Sequence, residues 1–306
     1  MATDSTLATR TAAILVVYRQ TARIEATLAQ LAGTVALRVV VDNAESAHAD
    51  LPEQARRHGA SLLHGGNRGG LAGAYNRALT HLRAHHADDY DQVVFLDDDS
   101  DTAALSRFLA DAQVAQLLAS DSTAAVSPAY RDRATGLRGK HIQLRRWGLD
   151  YLPRQFSGVR AVAFVINSMS VWRTRALDLI GPFNEGLAID HVDTEYCLRA
   201  RRQGLQVYVH GDHEFAHAIG QRRRFRFLGR EMQAGGHAPS RRYLIGRNTA
   251  WLARTWSWRE PAFAFLCTTR LAYEVAGILI AEDQRAAKLA ALLRGVMVGV
   301  FTPRLA

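Results

Sequence analysis

The chain reads as an α/β protein built on a Rossmann-like, doubly wound sheet, followed by a helical C-terminal extension. Three observations carry this reading. Short apolar runs alternate with helical patterns from residue 12 to about 116. The connections between runs are long enough to hold crossover helices, which implies parallel strands joined by right-handed crossovers. From about residue 240 the pattern is helical alone.

Ala12–Val17 predicts the first strand, a continuous apolar run suited to a sheet covered on both faces. Ile24–Leu31 predicts a helix with apolar positions 24, 28 and 31 on one side. Ala36–Val41 predicts a strand ending at Asp42-Asn43. Residues 51–58 read as helix, Ser61–Leu63 as a short strand, and 71–83 as helix after a glycine-rich turn. Val93–Leu96 reads as a strand, followed by one helix from Asp101 to about Leu118. Ala124–Val126 and Val159–Ile166 are strand-like, with a polar, basic insert between them. After Gly181-Pro182 come a loop, a helix through Thr194–Arg202 and a strand at Gln206–Val209. The expected organisation is a sheet domain over residues 1–240, with halves 12–118 and 119–240, and a helical extension over 241–306.

Composition narrows the function classes. At 306 residues and 48% hydrophobic, the chain can bury one large core or a core plus an extension. A net charge of +9 suggests an anionic partner: nucleic acid, a phosphorylated substrate or an acidic membrane surface. Much of the excess is local, in Gln221-Arg222-Arg223-Arg224-Phe225-Arg226-Phe227 and Arg241-Arg242. Cys197 and Cys267 are far apart and form no CxxC spacing, which speaks against a disulfide framework or a zinc site and fits a reducing cytosol. No stretch reads as a signal-peptide core or a membrane span; the closest, Pro261–Ala281, is interrupted by Arg270 and Glu274.

Five polar clusters stand at or near expected strand and helix ends. Asp42-Asn43 offers acceptors for a nucleobase imide or a ribose hydroxyl, and equally forms turns. Gly65-Gly66-Asn67-Arg68-Gly69-Gly70 opens a helix whose N-terminus favours anions, without the lysine of a P-loop; Asn76 follows one turn in. Asp97-Asp98-Asp99-Ser100 ends a buried strand, where carboxylates commonly hold a divalent cation against a diphosphate; the alternative is a solvated turn. Asp98 is expected to point away from Asp97 and Asp99, because side chains alternate in extended chain. Asp193 opens a helix and suits either capping or general-base work, with His191 a weaker base. His217 suits a metal site with Asp99 or a structural role, and the arginines after it suit either a diphosphate or a solvated face.

Taken together, these residues resemble the family 2 glycosyltransferases of the GT-A fold, and within them the bacterial rhamnosyltransferases of rhamnolipid, O-antigen and polysaccharide synthesis. The resemblance rests on Val40-Val41-Asp42-Asn43, Gly66 to Asn76, Leu96 to Ser100, Gly181-Pro182-Phe183-Asn184-Glu185, Ile189 to Ala200, His217-Ala218-Ile219-Gly220 and Arg242 to Asn248, over about residues 12 to 250. The segment Asp190-His191-Val192-Asp193-Thr194-Glu195-Tyr196 joined to His-x-Ile-Gly is the most specific part. The resemblance implies a nucleotide-binding half over 12–118, an acceptor half over 119–240, and an inverting transfer from dTDP-L-rhamnose. It further implies Asp193 as general base, Mg2+ or Mn2+ on Asp99 with Asp97 and His217, and nucleotide contacts from Asp42, Asn67, Arg68, Asn76, Asp97 and Arg247.

Departures from the family pattern are local. Asp98 stands where the family usually has Gln, Met169 where it often has Gly, and Tyr18-Arg19-Gln20 lacks the common Asn. The implied acceptor is a glycolipid or lipid-linked saccharide. A cytoplasmic enzyme follows, peripheral on the inner face of the membrane, with an anionic lipid surface or a second copy against the C-terminal helices. Trp251, Trp256 and Trp258 among Arg254 and Arg259 suit such an interface. A nucleic-acid-binding protein fits the net charge but not carboxylates gathered at strand ends. A non-catalytic nucleotide-binding module, or a transferase using another nucleotide sugar, keeps the same fold.

Overall fold

The computed structural model describes residues 7–217, 223–227, 230–303 and 305. Ala218-Ile219-Gly220-Gln221-Arg222, which belong to the His-x-Ile-Gly motif and the arginine run, lie outside the described residues, as do the side chains of residues 223–227. The chain divides into two compact units. The first comprises Met1–Asp132, Leu137–His141 and Leu152–His217; the second comprises Arg133–Gly136, Ile142–Tyr151 and Ala218–Ala306.

The elements begin with β1 (Thr11–Val17), α1 (Ile24–Ala32), β2 (Leu37–Asp42), α2 (Leu51–Arg57), β3 (Ser61–His64), α3 (Gly70–His86) and β4 (Gln92–Asp97). Then follow α4 (Leu105–Leu109), α5 (Ala112–Ala119), β5 (Thr123–Asp132), β6 (Ile142–Leu144), β7 (Leu149–Tyr151), β8 (Val159–Val162) and β9 (Val171–Arg173). The chain continues with α6 (Thr174–Ile180), α7 (Val192–Arg202), β10 (Gln206–His217), β11 (Arg223–Phe227) and β12 (Arg230–Ala234). It ends with α8 (Pro239–Trp256), α9 (Pro261–Ala281) and α10 (Arg285–Phe301).

In the first unit, one sheet runs in the order β3-β2-β1-β4-β9-β5-β10-β8. Its first four strands are parallel, in the Rossmann-like order the sequence predicts. Every residue of β1 is buried, because helices cover both faces. Ile24, Thr27, Leu28 and Leu31 form the buried stripe of α1, at helical spacing. The sheet is nevertheless mixed rather than wholly parallel. β9 lies antiparallel between β4 and β5, and β8 lies antiparallel on β10. Val171-Trp172-Arg173 is too short to show a strand period, so only its tertiary partners define it.

Two other expectations change. The single helix expected from Asp101 to Leu118 is two helices. Asp111 takes an extended backbone, and its side chain accepts from the N–H groups of Gln113 and Val114, so it caps α5 and ends α4. Val159–Ile166 contributes strand only over Val159–Val162, while β5 and β10 run further than the apolar runs that announce them.

In the second unit α8 and α10 cross closely. A Cβ on Gly295 would meet the Tyr243 carbonyl oxygen at 2.1 Å, so only glycine admits this approach. Ile245, Ile278 and Leu292 form a small core there. Arg242 is fully buried and paired with Glu274 and Glu282, and Lys288 Nζ lies 3.0 Å from Glu282 Oε2. Glu274, which interrupts the apolar sequence of α9, is thereby neutralised. Pro261–Ala281 is one unbroken helix of 21 residues, long and apolar enough by composition to cross a membrane, with 22% of its most apolar stretch buried. Trp251 and Trp256 are buried and Trp258 is exposed, so packing accounts for two of the three tryptophans.

Candidate active site

β1, β2 and β4 run in one direction, so their C-terminal ends open on one edge of the sheet, the place where such sheets bind ligands. β4 delivers Asp97 there and turns at once. The Ser100 N–H donates to the Asp97 carbonyl at 3.0 Å, and the Asp97 N–H donates to Ser100 Oγ at 2.8 Å. Asp97, Asp99 and His217 each offer one ligand atom, and these atoms lie within 4.8 Å of one another. His217 arrives from the far end of β10, paired in register with Asp132 of β5. All three side chains are half-buried.

The electrostatics of this cluster favour a cation. Burial, then the charges of Asp99 and Asp98, push the Asp97 carboxyl up from 3.8 to about 7; a bond to Ser168 opposes this and the charge of Asp193 adds to it. Two carboxylates and an imidazole are donors that suit Mg2+ or Mn2+. Donor type, spacing and accumulated negative charge therefore fit a divalent ion.

Asp98 turns the other way and does different work. Its Oδ2 accepts from the N–H groups of Tyr18, Arg19 and Gln20 at 3.2, 3.1 and 3.2 Å. It thus closes the turn after β1 that lacks the family's Asn. Sequence reasoning gave Asp98 a direction but no role; the signal was an extra carboxylate opposite a turn in need of an acceptor.

Asp193 lies in the first turn of α7. His191, in the left-handed region at φ 70°, occupies the N-cap position, and its side chain makes no cap bond to the helix. Asp193 Oδ1 accepts from the Thr194 N–H at 2.7 Å. Its charge is felt both at Asp97 and at the buried Tyr75 hydroxyl, which Asp97 also reaches. Glu195, two residues on, is buried and paired with Arg199 at 2.9 Å, so it is spoken for.

An aromatic chain sets the spacing between these acids. Phe95 of β4 meets Phe183 edge-on at 5.5 Å, and Phe183 stacks on Tyr196 of α7 at 3.8 Å. Tyr75 of α3 contacts Phe95 at 4.5 Å and Phe183 at 5.2 Å. Each such pair contributes about 0.5–1.5 kcal/mol beyond area burial. The Gly181-Pro182-Phe183-Asn184-Glu185 segment therefore serves as the wedge between β4 and α7.

The residues expected to hold the nucleotide are arranged differently from expectation. Asp42 is buried, and its carboxylate accepts from the Ala44 N–H at 3.3 Å, the His48 N–H at 2.7 Å and the His48 ring at 2.9 Å. Burial works to raise its pKa, and the His48 bonds outweigh it, so the group stays below the usual range. Asp42 orders the loop of residues 44–48 rather than facing open space. Asn76 is likewise committed: its amide donates to the Phe183 carbonyl at 2.9 Å and to Glu185 at 2.8 Å, and accepts from the Phe183 N–H at 2.8 Å. Both of its N–H donors and one lone pair of Oδ1 clamp the wedge.

The N-terminus of α3 is also engaged. The Leu71 N–H donates to the Ala188 carbonyl at 2.6 Å, and a Cβ on Gly70 would meet that same oxygen at 2.4 Å. The glycines serve this close approach more than an anion cradle. Asn67, at φ 55°, donates to Glu45 at 3.1 Å and accepts from Asn43 at 3.2 Å, while Arg68 is exposed beside it. Arg247 belongs to the second unit, on α8, where its Nε donates to Asn248 at 3.0 Å.

Comparison with known proteins adds one partial likeness in sequence. No protein-family model matches the chain. Over 110 residues it is 34% identical to the dTDP-rhamnosyl transferase RfbF of Shigella flexneri, covering 34% of this chain and 36% of that protein. The chain is rhamnosyltransferase-like over that stretch. It spans about a third of the length of the curated relative it matches. Among solved structures, the crystal structure of GalNAc-T7 with UDP, GalNAc and Mn2+ overlays 86% of this chain and 55% of its own, at 11% identity and a TM-score of 0.49. At that score the likeness decides neither fold nor chemistry.

Proposed function

We propose that this chain is an inverting glycosyltransferase that moves L-rhamnose from dTDP-L-rhamnose to a hydroxyl of a glycolipid or lipid-linked saccharide. The observation that carries the proposal is the convergence of Asp97, Asp99 and His217 at the strand ends, with the charge of Asp193 close enough to act on Asp97. The stretch of rhamnosyl transferase similarity supports the donor.

Inversion needs one displacement at the anomeric carbon and one base for the acceptor proton. Asp193 takes that proton: it is a half-buried carboxylate in the first turn of α7, oriented through Oδ1 by the Thr194 N–H. Asp97, Asp99 and His217 hold the metal; when bound, it supplies positive charge against the leaving diphosphate. Asn67, Arg68 and Asn76 are proposed to flank the nucleotide from the glycine-rich turn and the helix it opens, with Asp42, which orders the loop of residues 44–48, beside the base. Arg247 is proposed as a further contact to the donor. The cytoplasmic face of the membrane is proposed as the workplace, with exposed apolar side chains such as Phe265, Met297 and Phe301 supporting peripheral attachment.

The test is a donor panel. Protein with Mg2+ is incubated with dTDP-rhamnose, UDP-sugars and GDP-sugars, and nucleoside diphosphate release is followed with and without glycolipid acceptors. Release of dTDP alone, stimulated by acceptor, supports the proposal. Release from another nucleotide sugar instead replaces the donor, and release from none removes the transferase reading.

A further inference from the structure

A second cluster of metal-binding side chains lies in the first unit, away from the strand-end acids. Asp111, His210 and His213 present ligand atoms that all lie within 4.8 Å of one another. The cluster shares no donor with the first. His213 precedes His217 by four residues of β10, which separates the two groups by roughly 13 Å at strand rise.

Local structure builds the cluster from two sides. Asp111 caps α5 with Oδ1, which accepts from Gln113 at 2.8 Å and Val114 at 3.4 Å. That leaves Oδ2 for the strand. Opposite it, the register between β10 and β5 breaks between His210 and Glu214. Bulges of this kind re-aim side chains. Here the break brings both imidazoles onto one oxygen: His213 Nε2 lies 2.9 Å and His210 Nε2 lies 3.6 Å from Asp111 Oδ2. The rings stand nearly perpendicular, at 84° with centroids 4.7 Å apart.

Two features point to a ligand. Donors bound at about 2.0–2.1 Å to one tetrahedral ion sit roughly 3.3–3.4 Å apart, and the two observed separations bracket that value. The second feature is His210 itself. Its side chain is 3% exposed, and Nε2 is buried without a hydrogen-bond partner, aimed at the carboxylate from too far to bond it. An ion between them satisfies both atoms. On the outer side of His210, Nδ1 accepts a hydrogen bond from the Asp212 N–H at 3.3 Å, and Asp212 Oδ2, held by the Gly158 N–H at 2.7 Å, lies 3.9 Å from the same nitrogen. Metal binding through Nε2 would put the ring proton on Nδ1, trading the bond from the Asp212 N–H for one to the Asp212 carboxylate, the pattern of carboxylate–imidazole–metal arrangements.

We propose that Asp111, His210 and His213 form a structural site for a divalent cation of the zinc type, pinning the start of α5 to the bulge of β10. Water fills the fourth position, reached past Asp111, whose side chain is 25% exposed.

The test uses full-length protein carrying Asp97→Asn and Asp99→Asn, so that the strand-end cluster does not compete. Metal-free protein is titrated with Zn2+ by calorimetry and with Co2+ by visible absorption. The expected result is one equivalent bound, a tetrahedral-type Co2+ spectrum and a higher melting temperature. His210→Gln should abolish the spectrum, and Asp212→Asn should weaken binding roughly 10–100-fold. His210→Gln removes no protein hydrogen bond from Nε2, so it carries the test even where a His213 variant fails to fold. The proposal is overturned by the absence of stoichiometric binding, or by undiminished binding in His210→Gln. A failure of the donor panel leaves this result untouched, because the readout is metal binding alone.

Discussion

Ser100 Oγ lies 2.8 Å from Ser168 Oγ, and both residues are buried. This contact joins the turn that carries Asp97 and Asp99 to the segment running beside β4. The segment is anchored further: the Met169 N–H donates to the Phe95 carbonyl at 2.8 Å, and Met169 holds a left-handed backbone at φ 64° while fully buried. Such a left-handed backbone is one that glycine adopts without strain. Ser168 thus holds the turn through Ser100 and bonds the Asp97 carboxyl as well.

Replacing Ser168 with Ala should therefore disturb metal binding more than stability. The expected cost is about 1 kcal/mol in unfolding free energy. The apparent affinity for Mn2+ in the transfer assay should fall roughly 10–100-fold. An unchanged Mn2+ dependence contradicts the positioning role.

Asp98 supports the turn after β1 through the Tyr18, Arg19 and Gln20 N–H groups. Asp98→Ala strands these donors. Hydrogen bonds to a charged group contribute about 1.5–3 kcal/mol, reduced here by partial exposure. A clear drop in melting temperature with a raised KM for the donor is expected. A variant with wild-type stability shows that water replaces the carboxylate.

Asn76 separates two roles cleanly. As a clamp on Phe183 and Glu185, its replacement by Ala should lower the melting temperature and kcat together, through the loosened wedge beneath α7. As a nucleotide contact, it would raise the donor KM and leave the melting temperature alone. Thermal denaturation beside steady-state kinetics distinguishes the two.

The acid cluster makes stability depend on pH and metal in a defined direction. The Asp97 carboxyl is raised from 3.8 to about 7 in the folded protein. Between those values the folded state holds a proton that the unfolded state has released. Stability contributed by this group is present at low pH and is lost as pH rises through about 7. EDTA-treated protein should thus lose melting temperature as pH rises from about 4 to about 7 and level off above that, and Mg2+ or Mn2+ should restore it. Asp97→Asn should flatten the decline. EDTA should also abolish transfer, with activity recovered on adding either ion.

His141 works with the opposite sign. Burial first, and then the charge of Arg138, hold its imidazole down at about 4. The folded state binds fewer protons than the unfolded state between 4 and 6.5, so this contribution is lost as pH falls through that window. His141→Phe should retain more of its neutral-pH stability at pH 5 than wild type does, measured by chemical denaturation.

The sequence made the first half of the sheet plain. β1, β2 and β4 are continuous apolar runs flanked by polar turns, and such runs announce themselves by composition alone. β9 did not, because three residues carry no period and an antiparallel insertion depends on distant partners. The break at Asp111 was hidden for a related reason: a capping carboxylate inside a helical pattern looks like an ordinary polar position. At the site, Asp97, Asp99 and His217 converge as their strand-end positions suggest. Asp42 and Asn76 show the complementary lesson. Their side chains bond the loops around them, a network that depends on distant partners and so left no mark in the local sequence.

The most direct test of the central claim is the transfer rate of Asp193→Asn at saturating donor and acceptor, with dTDP binding measured on the same preparation. With Asp193 as the base, kcat falls roughly 10²–10⁴-fold while nucleotide affinity stays near wild type. Turnover close to the wild-type rate, in a variant that still binds dTDP, contradicts Asp193 as the group that receives the acceptor's proton.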